Sequence, residues 1–499
     1  MSRATALAQR LPPPPVLLGW LVVAHVVMKI LLFPLVMSAP PHGDEQAYLN
    51  GSMALSNALR DLFSFTSPDR AELDRNVVAS GWFMPGMSIV VAPLYVVFPD
   101  AGPGLVRAYC GIFTLALHVA VLRSTVRVLG HRWAVALAVF PGLVPMWVFF
   151  GFGAWGDLNA GLVLVLVMLR LVEMYRVLRR GDAPTVRDGL ALGLLSAVTL
   201  YLRSSTAVLL AGLGVVALIA AVVMLRGRVR LRAVGAAALA GVVFLLLLAP
   251  WSAYASHVLD ARVVTTTTVA TSKANTFGDR DEVCFGRCDP DSTLWFRPLR
   301  YAREVGRATG TSEVEVLKQM SAYARRDVTP GGYLDQVAHN LAAYSLQPAV
   351  FVDHVLPEEG RGPLGTVGGW AVKVSTWLVY FPSLLLVVAA LLTVVRRSLE
   401  ARLVDVLVKL CLGALLVQPF VHVAGGRYWT TAAPFFGLAA ASFVFERATR
   451  SGWIAATAPA TGAAGEADAL AVTWLGRIQR LLATGVAVVA VALLVALVL

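Results

Sequence analysis

Two adjoining stretches decide how this chain is read: the run from Val16 to Met37, VLLGWLVVAHVVMKILLFPLVM, and the polar segment Pro41-His42-Gly43-Asp44-Glu45-Gln46-Ala47-Tyr48. The run is long enough to cross a bilayer, which takes about 20 predominantly apolar residues. Arg3 and Arg10 precede it, so a secretory signal is one reading. Its length exceeds a signal core, and Pro40 and Pro41 make a poor cleavage context, so it reads as a membrane helix. Two neighbouring carboxylates just past such a helix do nothing to hold it in lipid. Chemistry at the membrane face is what they would serve.

Similar runs recur along all 499 residues, of which 58% are hydrophobic and only 14% charged. Soluble domains carry about a quarter charged residues, and the mean hydropathy here is +0.71. The expected fold is therefore all-α, a polytopic membrane protein. The net charge of +12 would point to nucleic acid in a soluble chain. Here the basic residues cluster between apolar runs, as in cytoplasmic loops facing anionic headgroups, so the bilayer is the expected partner and nucleic acid is not. Cys110 and Cys411 lie in apolar runs and read as packing residues. Cys284 and Cys288 lie in a polar loop and are either a local disulfide or two free thiols.

With the N-terminus inside, the positive-inside rule places Arg123/Arg127/Arg132, Arg176/Arg179/Arg180/Arg187 and Arg226/Arg228/Arg230/Arg232 in the cytoplasm. The spans are then Val16–Met37, Leu105–Leu129, Trp133–Phe152, Leu158–Leu178, Leu190–Leu202, Thr206–Leu225, Val234–Tyr254, Val367–Val395, Val404–Ala424, Thr431–Phe445 and Leu481–Leu499, about eleven in all. Met84–Phe98 is short and punctuated by Pro85, Pro93 and Pro99, and is expected not to cross. This gives an N-terminal transmembrane module, 1–254, whose first extracytoplasmic loop is 38–104 and carries an amphipathic helix. An extracytoplasmic loop or lid, 255–365, follows. Then come transmembrane helices over 366–448, a cytoplasmic linker, 449–478, and a last transmembrane helix, 479–499. Inside the long loop, Ser312 and Glu315 form a capping-box pattern, and Tyr333, Val337, Leu341 and Tyr344 recur at helical spacing.

This topology gathers Asp44, Glu45, Asp157, Arg203, Lys273, His422 and Arg427 on one face. Ionisable groups at membrane depth are costly and are by default candidates for function. Each also has an ordinary reading. Asp44 and Glu45 suit the N-terminal dipole of an interfacial helix, and Asp157 suits a helix cap. Arg203 and Arg427 suit snorkelling anchors, His422 a hydrogen-bonded core histidine, and Lys273 a solvated loop charge. Carboxylates and guanidiniums from distant segments on one side suit transfer of a sugar from a polyprenyl phosphate. A guanidinium holds the leaving phosphate, increasingly so as the glycosidic bond breaks. One carboxylate accepts the acceptor-hydroxyl proton, which gives inversion. Glu45 is turned about 100° from Asp44 on a helix, so it reads as a supporting or metal-side member of the catalytic set.

The segment Gly43-Asp44-Glu45-Gln46-Ala47-Tyr48 resembles the acidic first-loop motif of GT-C-type glycosyltransferases, closest to the protein O-mannosyltransferase and aminoarabinose transferase relatives. Gly81–Leu94 is similar to their PPLYPLL-like segment, with the paired prolines reduced to Pro85. Arg107 through Gly130 looks like the family's next helix, Gly156-Asp157 its second acidic position, and Tyr201–Ser204 its TRP-like turn with serine for proline. Pro250-Trp251 before a Thr/Asn-rich loop, and Gly426-Arg427-Tyr428 with Pro434, are also family-like, so the resemblance runs from about residue 14 to 445. It implies a GT-C-like bundle and a polyprenyl-phosphate sugar donor. Asp44 would be the base, Asp157 would support acceptor or metal, and Arg203 and Arg427 would hold the lipid phosphate. Lys273, His422 and Tyr428 are further candidates for the phosphate side from their place on the same face. No cofactor is obligatory by this resemblance; some members hold a divalent metal ion, for which no ligand set is assigned. The acceptor is a glycan, lipid or protein. Two other readings are a transporter or flippase of a lipid-linked substrate and a polymerase or ligase of lipid-linked glycans. Ala/Val/Arg-rich usage fits a bacterial cell membrane.

Overall fold

The computed structural model describes residues 12–41, 43–289, 296–356, 362–422, 429–451 and 465–498, and among these there is helix and no strand. Among the described residues seven helices are long and apolar enough to cross a membrane, so the chain is a multi-pass α-helical membrane protein. The first helix, α1 (Pro14–Val36), is followed by α2 (Asp44–Phe63), a short turn α3 (Arg70–Leu73), and α4 (Gly86–Val97). Pro85 precedes α4, and twelve residues rise only about 18 Å, too little to span. The bundle continues with α5 (Pro103–Leu129), α6 (His131–Val139), α7 (Pro145–Phe150), α8 (Gly156–Arg179), α9 (Val186–Leu202), α10 (Ala207–Met224) and α11 (Gly227–Val258).

The apolar stretch Trp133–Phe152, expected as one span, is broken between α6 and α7. The cause is Phe140-Pro141-Gly142-Leu143-Val144-Pro145: two prolines lack the N–H groups that a continuous helix needs. The break is buried, and side chains serve the backbone there. His25 on α1 donates Nδ1–H to the Gly142 carbonyl, and the Thr376 hydroxyl accepts from the Met146 N–H at 3.0 Å. The His118 ring lies 4.9 Å from that of His25, and Lys29 Nζ sits 4.6 Å from the Phe152 ring centre. These three buried groups went unflagged because each is a single polar residue inside an apolar run.

Helix α8 forms the centre of the bundle, buried along most of its first seventeen residues, and packs on α5, α9 and the later helices. Helices α9 and α11 make the closest pair. A Cβ at Gly189 or Gly193 would sit 2.6 Å from the Ala236 or Ala240 carbonyl oxygen. Small residues at i and i+4 let two backbones touch where lipid supplies no hydrophobic drive.

Between α11 and the next long helix lie α12 (Thr268–Phe277), α13 (Phe296–Thr309), α14 (Glu313–Ala324), α15 (Pro330–Leu346) and the short α16 (Phe351–Val355). The Ser312 hydroxyl caps α14 through the Glu315 N–H at 3.3 Å. The Cys284 and Cys288 sulfurs are bonded, with Cα atoms 5.2 Å apart, which resolves the two alternatives left by their spacing. This helical cap is fastened to the loop between α3 and α4. Thr267 donates to the Ser80 carbonyl at 2.6 Å, Arg303 to the Ser80 hydroxyl at 2.7 Å, and Trp82 packs 6.0 Å from Phe296.

The last helices are α17 (Pro363–Leu392), α18 (Leu399–Leu416), α19 (Trp429–Arg450) and α20 (Gly465–Val498). The final helix starts at Gly465, well before the expected Leu481, because its Ala-rich opening continues in helical register despite its polarity. At the end opposite the cap, Asp405 is closed by Lys409 at 2.9 Å, Ser442 at 2.9 Å and Gln479 at 2.6 Å, joining α18, α19 and α20.

Candidate active site

Gly43, with φ of +60°, turns the chain into α2 and leaves Asp44 and Glu45 in the first helical turn, where the dipole favours carboxylates. Asp44 is half-buried at the capped end of the bundle. Glu45 is buried and forms a fork-to-fork pair with Arg107 of α5, one limb of which measures 2.8 Å. It also accepts the Ala154 N–H at 2.8 Å. Arg107 reaches the Ala39 carbonyl as well, at 3.3 Å. One carboxylate thus joins α2, α5 and the turn before α8. The sequence signal for its partner was an arginine inside an apolar run, the same signal that marked Arg203.

Three residues beyond Ala154, Asp157 pairs with Arg203 Nη1 at 2.9 Å; the carboxylate is 1% exposed and the guanidinium 14%. Arg203 ends α9 in an extended conformation (φ −153°, ψ 105°) and precedes a 3-10 turn, Ser204–Thr206. This local shape is held by two backbone contacts that only glycine permits. A Cβ on Gly156 would lie 1.9 Å from the Leu202 carbonyl oxygen, and one on Gly86 2.2 Å from that of Tyr201. The starts of α8 and α4 are thereby pressed against the turn that carries Arg203. Three residues of chain reach at most about 11 Å, so the Glu45–Arg107 and Asp157–Arg203 pairs are near neighbours.

The cap and the late helices close over this pair. Tyr344 on α15 is within electrostatic reach of Arg203; burial pushes its phenol up from the ordinary range while the guanidinium pulls it the other way. Its ring stacks on Trp429 at 4.5 Å, and Phe351 meets Trp155 edge-on at 5.2 Å. The Thr431 carbonyl of α19 would lie 2.3 Å from a Cβ on Gly161, one turn past Asp157 on α8. His422 is half-buried in a turn held by α15: Asn340 donates to the Pro419 carbonyl at 3.1 Å and Tyr333 to that of Phe420 at 2.8 Å. Lys273 is half-buried on α12, and its helix is tied to the bundle through the Thr267–Ser80 and Thr267–Gly81 bonds. Arg427 and Tyr428 lie outside the described residues.

Asp44 and Glu45, Asp157 and Arg203 thus come from three distant stretches to one end of the bundle, beneath a helical cap. Among the described residues no three His, Cys, Asp or Glu side chains gather as a metal site. The Glu45 and Asp157 carboxylates are already engaged by arginines. A resident divalent cation does not fit these groups. What the arrangement offers is a carboxylate at a helix start, a second carboxylate orienting a guanidinium, and aromatic walls from Trp155, Tyr344 and Trp429. No protein-family model, curated protein or solved structure matches this chain.

Proposed function

We propose that the chain is an inverting glycosyltransferase of GT-C type that moves a monosaccharide, a hexose or pentose, from a polyprenyl phosphate to an acceptor hydroxyl at the extracytoplasmic face of a bacterial cell membrane. The observation that carries this is the Asp157–Arg203 pair at 2.9 Å, set at the same end of the bundle as Asp44. Asp44 takes the proton of the acceptor hydroxyl as its oxygen attacks the anomeric carbon. The bond from that carbon to the phosphate oxygen breaks, and the polyprenyl phosphate leaves as an anion. Arg203 receives it. A guanidinium has five N–H donors in a planar fork, so one group can serve a carboxylate and a phosphate together. Asp157 and Glu45 position, the first by orienting Arg203, the second by fixing the Asp44 turn to α5 and α8. Lys273, His422, Arg427 and Tyr428 are the further candidates for the phosphate side.

The extracytoplasmic assignment is supported by the Cys284–Cys288 bond in the cap, since such bonds persist in oxidising compartments, and by the basic clusters at the opposite end. On this proposal α8, α9, α19 and the broken α6–α7 segment also cross, which with the seven long apolar helices makes eleven crossings. Mass spectrometry of lipids and glycans from a deletion strain tests the proposal. A polyprenyl-phosphate sugar accumulating beside an underglycosylated product is the expected result; unchanged lipid-linked sugars would oppose it. The product also separates a single-sugar transferase from a glycan polymerase or ligase.

The buried His25, Lys29 and His118 beside a broken helix favour a second reading, a transporter or flippase. Proteoliposomes decide between them: substrate movement with no glycosidic bond formed supports transport.

A further inference from the structure

Most basic clusters at the end away from the cap have acidic partners. Arg127 and Arg170 meet Glu173 at 3.3 and 2.8 Å, Arg170 also meets Asp188 at 3.3 Å, and Arg397 meets Glu446 at 3.2 Å. The turn between α10 and α11 differs. Arg226, Arg228, Arg230 and Arg232 are all exposed, and among the described residues none has an ion pair or hydrogen bond through its side chain. No Asp or Glu occurs anywhere from Gly189 to Leu259. Three of these arginines lie in the first two turns of α11, which has no acidic residue in its first turn. Cations there oppose the helix dipole, so they are not present for the helix's own sake.

Their surroundings are apolar and outward-facing. Val223 on α10 is 63% exposed and Leu231 on α11 70%, and both helices qualify as membrane spans. The four guanidiniums therefore ring the tip of a lipid-facing hairpin at the depth where a span ends. Anionic headgroups occupy that depth, and an arginine cluster next to a span attracts them. We propose that Arg226, Arg228, Arg230 and Arg232 form a docking site for the headgroups of anionic phospholipids at the α10–α11 turn. Guanidinium forks bind the phosphates bidentately while acyl chains lie along α10 and α11. This is independent of the glycosyl-transfer reading, whose anion site lies at the other end of α9.

The test uses the full chain, delipidated in a zwitterionic detergent and placed in nanodiscs of phosphatidylcholine with or without phosphatidylglycerol. A variant R226Q/R228Q/R230Q/R232Q is compared with R123Q/R132Q/R180Q/R187Q, which removes four other exposed arginines from the same end. Lipid retained by each is counted by native mass spectrometry, and unfolding is followed thermally. Wild type and the control variant should enrich phosphatidylglycerol and unfold at higher temperature in its presence, less so at high salt. The hairpin variant should lose the enrichment by at least about tenfold while unfolding like wild type in phosphatidylcholine alone. Equal enrichment in both variants, or none in wild type, would overturn the proposal. So would an equal thermal shift from inorganic phosphate, which would mark a free-anion site, or displacement of the lipid by polyglutamate at lower concentration, which would mark an acidic protein partner.

Discussion

Glu45 and Arg107 are both about 2% exposed at their side chains, so neither charge has water to fall back on. Removing one partner of such a pair leaves a buried charge and costs about 3–5 kcal/mol, whereas removing both can be close to neutral. Glu45→Gln and Arg107→Gln are each expected to lower the thermal unfolding midpoint of the purified protein sharply, and the double variant by much less than their sum. Additive losses would show that the two groups do not act as a pair. Gly156 gives a finer test at the same scale. A methyl there would collide with the Leu202 carbonyl oxygen at 1.9 Å, so Gly156→Ala should disturb the Arg203 turn and cut turnover by an order of magnitude or more. Gly212→Ala meets no atom within 4 Å and should be silent. Asp157 and Arg203 were legible as candidates because each is an ionisable group beside an apolar run. Their partnership was not, since a contact between residues 46 positions apart has no local signature. Glu45 is the instructive case: its turn from Asp44 on a helix marked it as a supporting or metal-side member of the set, but nothing local could name Arg107 and Ala154 as its partners.

Helices α12 to α15 show what short-range patterns do and do not predict. The capping hydroxyl of Ser312 and the apolar spacing of α15 were readable because both repeat within one or two turns. The break between α6 and α7 was missed because hydropathy averages over its prolines, which act on hydrogen bonds and leave polarity unchanged. The cap carries its own test. Closing a loop as short as Cys284–Cys288 removes little chain entropy, on the order of 2 kcal/mol. Cys284→Ser with Cys288→Ser should therefore raise hydrogen exchange in α12 to α14 while leaving the protection of α8 intact. Loss of protection throughout the bundle would mean that cap and bundle unfold as one unit.

Across the whole molecule, the two ends carry different charged groups. The capped end holds Asp44, the two buried ion pairs and the sulfur–sulfur bond; the other end holds the arginine clusters and the Asp405 network. Cysteines placed at Arg228 and Arg297, tested one at a time, should react with a membrane-impermeant maleimide from opposite sides: the second in intact cells, the first only after lysis. The reverse pattern would invert the topology, and labelling of both from one side would put the two ends on the same face of the membrane. Membrane class was legible from hydropathy alone, whereas the number of crossings depends on α8, α9 and α19, which are not among the seven long apolar helices. The central claim, that Asp44 is the base of a glycosyl transfer, is tested most directly by turnover. Wild type and Asp44→Asn, purified alike and equally folded, are incubated with synthetic polyprenyl-phosphate monosaccharides, and release of polyprenyl phosphate is followed by mass spectrometry. Release by wild type from at least one donor, slowed about 100-fold or more in Asp44→Asn, is the predicted result. Equal rates in the two proteins would contradict it.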